Sequence, residues 1–414
     1  METEEKIRLL MSQALSDREG NGPLTDLATR LRARQPLDPI NIRSFADRGF
    51  GKTLLFRILL TNACAFSCDY CPMRAGREIP RHALSPSTLA DVFLTAYGRG
   101  WVSGLFVTTG IPKSARFAMD RLIELVEILR LRRRYTGYLH AKAVAGAEAE
   151  QIDRLVDLCD RVSYNLEAAC QATLDRVAPE KNFADGLALL RRVRDRSRSL
   201  GARRAKGDPR PAGRAAAAGT TAQFVVGIGP EADRDFLETS HRLWRERALH
   251  HPHFAAFRPI EDTPLEDERE TPVLRENRLY QADHLLREYG FEPEDLVYGA
   301  DGNLPLSRDP KLTWALAHPE RYPVDAASAD RETLLRVPGL GPRIVDRLLS
   351  LRRSITGLDL ASFSKLGAVA SRARGFLAWR GKTLGARAIQ ESLFPPEEFP
   401  EPSRVYSFSP GTFR

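Results

Sequence analysis

The sequence predicts an α/β fold in which six strand–helix repeats build a parallel sheet and a helical module follows. Three observations carry this. Between residues 54 and 260, short apolar runs alternate with longer stretches of helical spacing. Strand then amphipathic helix, repeated, is the pattern of parallel strands, because each needs a crossover to start again at the same end of the sheet. Beyond residue 325 the alternation stops, and a Gly/Pro turn separates two apolar-periodic stretches. The repeats allow an open or partial barrel or a doubly wound sheet, and in both the chemistry sits in loops at the C-terminal ends of the strands.

The elements follow in order. Residues 1–50 form an N-terminal extension, helical over 2–15 and then loop. The core spans 51–262. Its first strand is the run 54–60, followed by a cysteine loop and a helix over 86–97, with Ser85 as N-cap and Pro86 at the first helical position. Strands at 105–110, 138–144 and 161–167 alternate with helices at 117–132, 148–158 and 183–200. A Gly/Pro/Ala/Arg insert (201–219) precedes the strand 223–227, a helix over 231–249 and a sixth strand at 253–260. Residues 261–272 are acidic and read as a solvated loop. A helical connector covers 263–324, a helical module 325–385 and a Pro-rich tail 386–414.

The composition, 43% hydrophobic and 28% charged in 414 residues, is that of a globular chain of two or three domains. No run approaches the roughly 18 apolar residues of a membrane span, and the acidic start Met1-Glu2-Thr3-Glu4-Glu5 lacks a signal h-region. The expectation is a cytoplasmic protein with no membrane partner. The net charge of +8 is unevenly placed. Residues 191–214 carry ten Arg or Lys against two Asp, and residues 331–390 carry twelve against three acids, so the rest of the chain is acidic. Two basic patches on an acidic body suit a polyanion such as nucleic acid. For the first of them, an Arg-rich composition that follows a GC-rich genome is the alternative.

The loop after the first strand reads Thr61-Asn62-Ala63-Cys64-Ala65-Phe66-Ser67-Cys68-Asp69-Tyr70-Cys71-Pro72 and holds three of the five cysteines. Thiolates suit an iron–sulfur cluster or zinc. Structural zinc wants four ligands, and the nearest imidazole, His82, is badly spaced for a fourth. Three thiolates on a cubane cluster leave one iron open. Cys159 and Cys170 stand apart and read as core residues. The run Gly49-Phe50-Gly51-Lys52-Thr53 mimics a P-loop ending, but Ala46 replaces the first glycine, and a strand follows where a helix is required.

The C-x-x-x-C-x-x-C spacing, with Tyr70 before the third cysteine, resembles the radical S-adenosylmethionine (SAM) enzymes. The resemblance implies a partial (β/α)6 TIM-like barrel in which Cys64, Cys68 and Cys71 bind a [4Fe–4S] cluster. It also implies that the open iron chelates SAM, which is cleaved to a 5′-deoxyadenosyl radical, and that a donor such as flavodoxin or ferredoxin supplies the electron. Around SAM it places Tyr70; Thr108, Thr109 and Gly110, where such enzymes carry a Gly-Gly-Glu-like stretch; Lys142, facing the SAM carboxylate; and Asn165 with Glu167 at the end of the fourth strand. Glu167 also fits a helix-start carboxylate. His140 shares the face of Lys142. Arg258, ending the sixth strand, faces either a substrate phosphate or an ion-pair partner.

Residues 334–345 contain Pro338-Gly339-Leu340-Gly341-Pro342, which resembles the helix-hairpin-helix element of DNA-binding proteins. Its glycines allow close backbone approach, and its second helix presents N–H groups to a phosphate beside Arg343 and Arg347. A protein-interaction module with the same turn is the alternative. Together the two motifs resemble a bacterial family of DNA modification/repair radical SAM proteins. Its landmarks match Leu59-Leu60-Thr61-Asn62, Gly104-Leu105-Phe106, residues 278–283 and residues 309–315. The resemblance implies an enzyme that acts on DNA through non-sequence-specific backbone contact, with the target nucleotide flipped into the barrel mouth. RNA modification, a small-molecule or peptide substrate, and a non-catalytic DNA-binding protein with a structural or redox cluster are the rival readings.

Overall fold

The computed structural model describes residues 3–14, 55–205, 216–353, 357, 359–365, 367 and 369–385. Residues 15–50 of the extension, the run 49–53, residues 206–215 of the basic insert and the tail 386–414 lie outside the described residues. Among the described residues the chain divides into two compact units. The first reaches Glu231 and resumes from Arg242 to Val273; the second takes Ala232–His241 and the residues from Leu274 onward.

The first unit is built on one sheet of six strands: β1 (Leu55–Leu59), β2 (Gly104–Thr108), β3 (Tyr138–Lys142), β4 (Arg161–Glu167), β5 (Thr220–Val226) and β6 (His251–Ala256). They pair in sequence order, every pair parallel. This is the open, partial (β/α)6 barrel. Before the sheet, α1 (Thr3–Gln13) packs on β1 through buried Leu10 and Met11. Between the strands run α2 (Pro86–Gly98), α3 (Ala115–Glu127) with a π-turn over Ile128–Arg132, α4 (Ala149–Leu158), α5 (Gln171–Val177) and α6 (Phe183–Ala205); in sequence α7 (Asp233–Arg245) follows β5, its residues up to His241 belonging to the second unit.

Local chemistry starts these helices where the sequence signals them. Ser85 caps α2 by accepting the Thr88 N–H at 3.0 Å with Pro86 next to it, and Ser114 does the same for Phe117 at the start of α3. Glu148 and Gln151 form a capping box on α4. The short α5 lies inside a stretch that periodicity does not mark as helix.

The two faces of the sheet differ. Phe56, Ile58, Leu105, Val107, Leu139, Ala141 and Val162 are buried in the main apolar core with the helices. On the other face Arg57 lies opposite Phe106, Phe106 opposite His140, and His140 opposite Arg161. In-register residues of parallel strands share a face, so these four make a row inside the half-barrel. Where many barrels fill that space with branched apolar side chains, this one buries polar groups.

The second unit holds α8 (Val273–Glu288), α9 (Pro310–Ala317), α10 (Arg331–Arg336), α11 (Pro342–Leu351), α12 (Leu360–Lys365) and α13 (Ala370–Ala373). The Asp233 carboxylate pins its N-terminal piece, accepting from Arg275 Nε at 2.7 Å and the Leu304 N–H at 2.9 Å. The helical module also carries a small sheet that an all-α expectation omits: β7 (Val324–Asp325), β8 (Leu377–Trp379) and β9 (Lys382–Thr383). Asp325 accounts for it. Its carboxylate accepts the N–H groups of Ala327, Arg380 and Gly381, tying the β8–β9 turn to β7. No helix among the described residues is long and apolar enough to cross a membrane.

Candidate functional site

The cysteine loop leaves the C-terminal end of β1 and is folded against the ends of β2 and β4. Leu60 continues the ladder by donating to Thr108 O, and the Ala65 N–H donates to Ile111 O at 2.7 Å. Gly110 is there for space: a Cβ at that position would overlap the Ala63 carbonyl and its N–H donates to Thr61 O at 2.8 Å. Thr109 turns its hydroxyl to the Gly110 carbonyl, and Thr108 is buried beside it. The 108–110 stretch therefore supports the loop from behind.

An arginine that sequence reasoning passed over organises the loop itself. Arg81 donates to four carbonyls, those of Asn62 and Met73 through one terminal nitrogen and those of Arg74 and Arg77 through the other, at 2.7–2.9 Å. The Asn62 side chain accepts the His82 N–H and donates to Pro80 O, closing the same turn. A second clamp comes from the segment between α5 and α6. The Asp69 N–H donates to Val177 O, and the Ser67 N–H and hydroxyl both donate to Glu180 Oε1 at 2.7 Å. Cys68 is thus held on both sides.

All three thiols are free of disulfides. Cys68 and Cys71 pack into an apolar wall made by Leu174, Val177, Val225, Ile228 and Phe257. Burial, and then the neighbouring Cys68, pushes the Cys71 thiol up to about 12. Burial also raises Cys68, against the opposing Lys181 ammonium. Protonated thiols must give up protons to a metal, so loading a metal here releases them.

Beside the thiols lie buried polar atoms. Glu167 ends β4 after a register shift: Asn165 is opposite Gln223, but Glu167 is opposite Phe224. Its φ is +64°. The carboxylate accepts Lys181 Nζ on Oε1 at 2.6 Å, while Oε2 is buried with no hydrogen-bond partner. Asn165 Oδ1 is in the same condition, and Tyr70 Oη lies against the Glu167 carboxylate without a hydrogen bond of ordinary geometry. Burial, then the adjacent Glu167 carboxylate, raises the Tyr70 hydroxyl well above its usual range. Buried polar atoms without partners are rare and point to a bound group that satisfies them.

The donor set fits the cofactors of the resemblance. Thiols are soft donors, and a [4Fe–4S] cluster takes one thiolate per iron. Among the described residues no three His, Cys, Asp or Glu side chains are placed to share one metal ion. The orphaned oxygens of Glu167, Asn165 and Tyr70 suit the amine and hydroxyl groups of a nucleoside-bearing ligand such as SAM.

Lys142 does face the half-barrel interior, donating to Gln223 Oε1 at 3.0 Å and lying over the Phe106 ring. His140 shares that face, as expected, and meets Ser163 Oγ at 2.7 Å. Burial, then Arg161, Arg57 and Lys142, hold its pKa well below the ordinary value. Arg258 is half-exposed and pairs with Glu270 at 3.3 Å. Cys159 is fully buried next to β4, and Cys170 begins α5 with Glu231 nearby.

In the second unit α10 and α11 form a hairpin through residues 337–341. Val337, Pro338 and Leu340 are buried in it. Gly339 has φ +81°, and a Cβ there would stand 2.5 Å from Val369 O. Gly341 is the N-cap of α11 without a side-chain cap, and Arg343 and Arg347 are exposed one turn apart. Lys311, from α9, donates to the Leu340 carbonyl and is pushed down to about 7 by burial.

Residues 58–201 match the family model described as the Radical SAM superfamily. No curated protein matches the chain. Among solved structures, HydG, a maturase of the [FeFe]-hydrogenase, aligns at 13% identity over 56% of this chain and 49% of its own, with a TM-score of 0.43. HydG from Carboxydothermus hydrogenoformans aligns at 13% over 66% and 58%, TM-score 0.43. Methylornithine synthase (PylB) aligns at 16% over 66% and 76%, TM-score 0.44. The chain spans about half the length of the HydG structures it matches. With a matching family model laid over the half-barrel and its three-cysteine loop, residues 58–201 are a radical SAM domain, of a superfamily that uses a [4Fe–4S] cluster and SAM.

Proposed function

We propose that this enzyme acts on DNA, in modification or repair, with Cys64, Cys68 and Cys71 as cluster ligands and the α10–α11 hairpin as the DNA contact. The observation that carries the DNA reading is the hairpin. Its turn brings backbone close to backbone at Gly339, and its ten-residue second helix opens on N–H groups without a side-chain cap. Arg343 and Arg347 are exposed on that helix. Such a helix start offers partial positive charge and donors to a phosphate, and the arginines add to it. Contact of this kind positions a duplex without reading its sequence.

The roles inside the first unit follow from placement. Arg81, Glu180 and Gly110 hold the cysteine loop in one shape. Tyr70, Asn165 and Glu167 offer oxygens to SAM, and Lys142 offers an ammonium at the end of β3. Arg258 serves a substrate phosphate if Glu270 releases it. When bound, the cluster and SAM together supply a carbon-centred radical that removes a hydrogen atom from the substrate. An external electron donor would reduce the cluster.

The test is anaerobic: reconstitute the cluster, add dithionite and SAM, and quantify 5′-deoxyadenosine with and without DNA. Stimulation by DNA supports the reading. Alongside it, DNA affinity is measured across salt concentrations for the protein and for Arg343→Ala/Arg347→Ala. The expected result is a salt slope lowered by about 1 for each lost phosphate contact. Absence of DNA affinity in the full chain refutes the DNA reading and favours a small-molecule or peptide substrate.

A further inference from the structure

The segment between α5 and α6 supplies one more side chain to the site. Lys181 is half-buried, with its ammonium 2.6 Å from Glu167 Oε1. Its backbone is fixed, since Lys181 N–H donates to Ala178 O while Glu180 holds Ser67 and Val177 O holds Asp69. Ser67 and Asp69 flank Cys68, so the same short segment that grips the cysteine loop delivers the lysine. Glu167 arrives from the other side through the register shift in β4. Two opposite charges therefore meet next to one thiol ligand. Burial opposes the charge on Lys181, but Glu167 and then Cys68 raise its pKa above the ordinary value.

We propose that the Glu167–Lys181 pair is an electrostatic setting for the cluster, with Lys181 as a positioning residue that both neutralises Glu167 and aims its second oxygen. This rests on the reading that Cys68 is a cluster ligand. The physical argument is one of sign. Reduction adds one electron to the cluster, and net charge nearby is one of the few levers a protein has on that potential. In a buried site a unit charge is weakly screened. With both partners present the pair contributes little net charge. With only Glu167 left, the electron is repelled and the potential falls. With only Lys181 left, the electron is attracted and the potential rises.

The experiment is an EPR-monitored redox titration without SAM or substrate on reconstituted full-length protein, with iron and sulfide counted first. The variants are Lys181→Met, Glu167→Gln, their combination, and Lys181→Arg. The expected pattern is a potential shifted down in the first and up in the second, each by about tenfold in the reduction equilibrium, 59 mV for a one-electron couple. The double variant and Lys181→Arg return close to the unaltered protein. A role confined to packing moves both single variants the same way or lowers iron content without a signed shift. Equal or absent shifts in fully loaded variants overturn the proposal and leave the cluster reading standing. An unaltered protein that takes up no cluster overturns both.

Discussion

Replacing Arg81 with Ala isolates what the cysteine loop owes to a single side chain. The change strips donors from four carbonyls at 2.7–2.9 Å. Hydrogen bonds from a charged donor contribute about 1.5–3 kcal/mol each, and an acceptor left buried without a partner costs about 1–3 kcal/mol. The carbonyls of half-buried Arg74 and Arg77 regain water when the side chain goes. Asn62 is fully buried, and Met73 packs against the core, so their carbonyls do not. Counting these two in full places the loss at about 3–6 kcal/mol. A domain stable by about 5–15 kcal/mol survives that on average, and the loss appears first as an open loop. The assay pairs iron and sulfide content after anaerobic reconstitution with denaturant unfolding. The expected outcome is cluster content cut by more than about half, with a smaller drop in global stability. Lys in place of Arg falls between, because an ammonium has three donors and no planar fork. An Arg81→Ala protein that loads a full cluster and unfolds at the same denaturant concentration refutes the reasoning.

Other changes test the frame around the site. Asp160 is buried and accepts from Arg130 at 2.6 Å and from the Leu139 N–H at 2.8 Å, so Asp160→Ala strands a buried guanidinium and lowers unfolding free energy by about 3–5 kcal/mol; denaturant titration reads it. Lys311 has its pKa lowered from 10.5 to about 7 in the fold. Between those values the unfolded chain holds a proton that the folded chain lacks, so stability rises with pH across that window and the full penalty applies below pH 7. At about 1.36 kcal/mol per pH unit the rise is bounded near 5 kcal/mol, and Lys311→Met should abolish it in thermal unfolding measured from pH 7 to 10. Gly339→Ala forces a side chain into positive φ against the Val369 carbonyl, which costs about 1–3 kcal/mol and should weaken DNA binding at low salt more than Arg258→Ala does; gel-shift titration compares them.

The sheet was legible because each strand is a short apolar run between turn residues, and the helices because their caps, Ser85 and Ser114 among them, precede a clear period. The cysteine loop was legible because ligand spacing is a local property. The clamp was not. Arg81 serves carbonyls, which carry no side-chain signal, and Glu180 reaches Ser67 across more than a hundred residues of sequence. Lys181 sits in an Ala-Pro-Glu-Lys run that reads as an ordinary surface turn. The placement of Glu167 was hidden for a different reason: alternation puts it on the face of Asn165, and one extra residue in β4 undoes that parity.

That extra residue makes β4 a counting device. A strand that slips by one position turns each later side chain over, and here the slip falls between Asn165 and Glu167. Asn165 stays opposite Gln223, while Glu167 comes opposite Phe224 and accepts Lys181. Deleting Leu166 would leave every residue named at the site chemically intact and keep Glu167 opposite Phe224, yet it would remove the irregularity from which Glu167, at φ +64°, reaches Lys181. Grafting this site onto another half-barrel therefore requires copying the length of β4 as faithfully as its side chains.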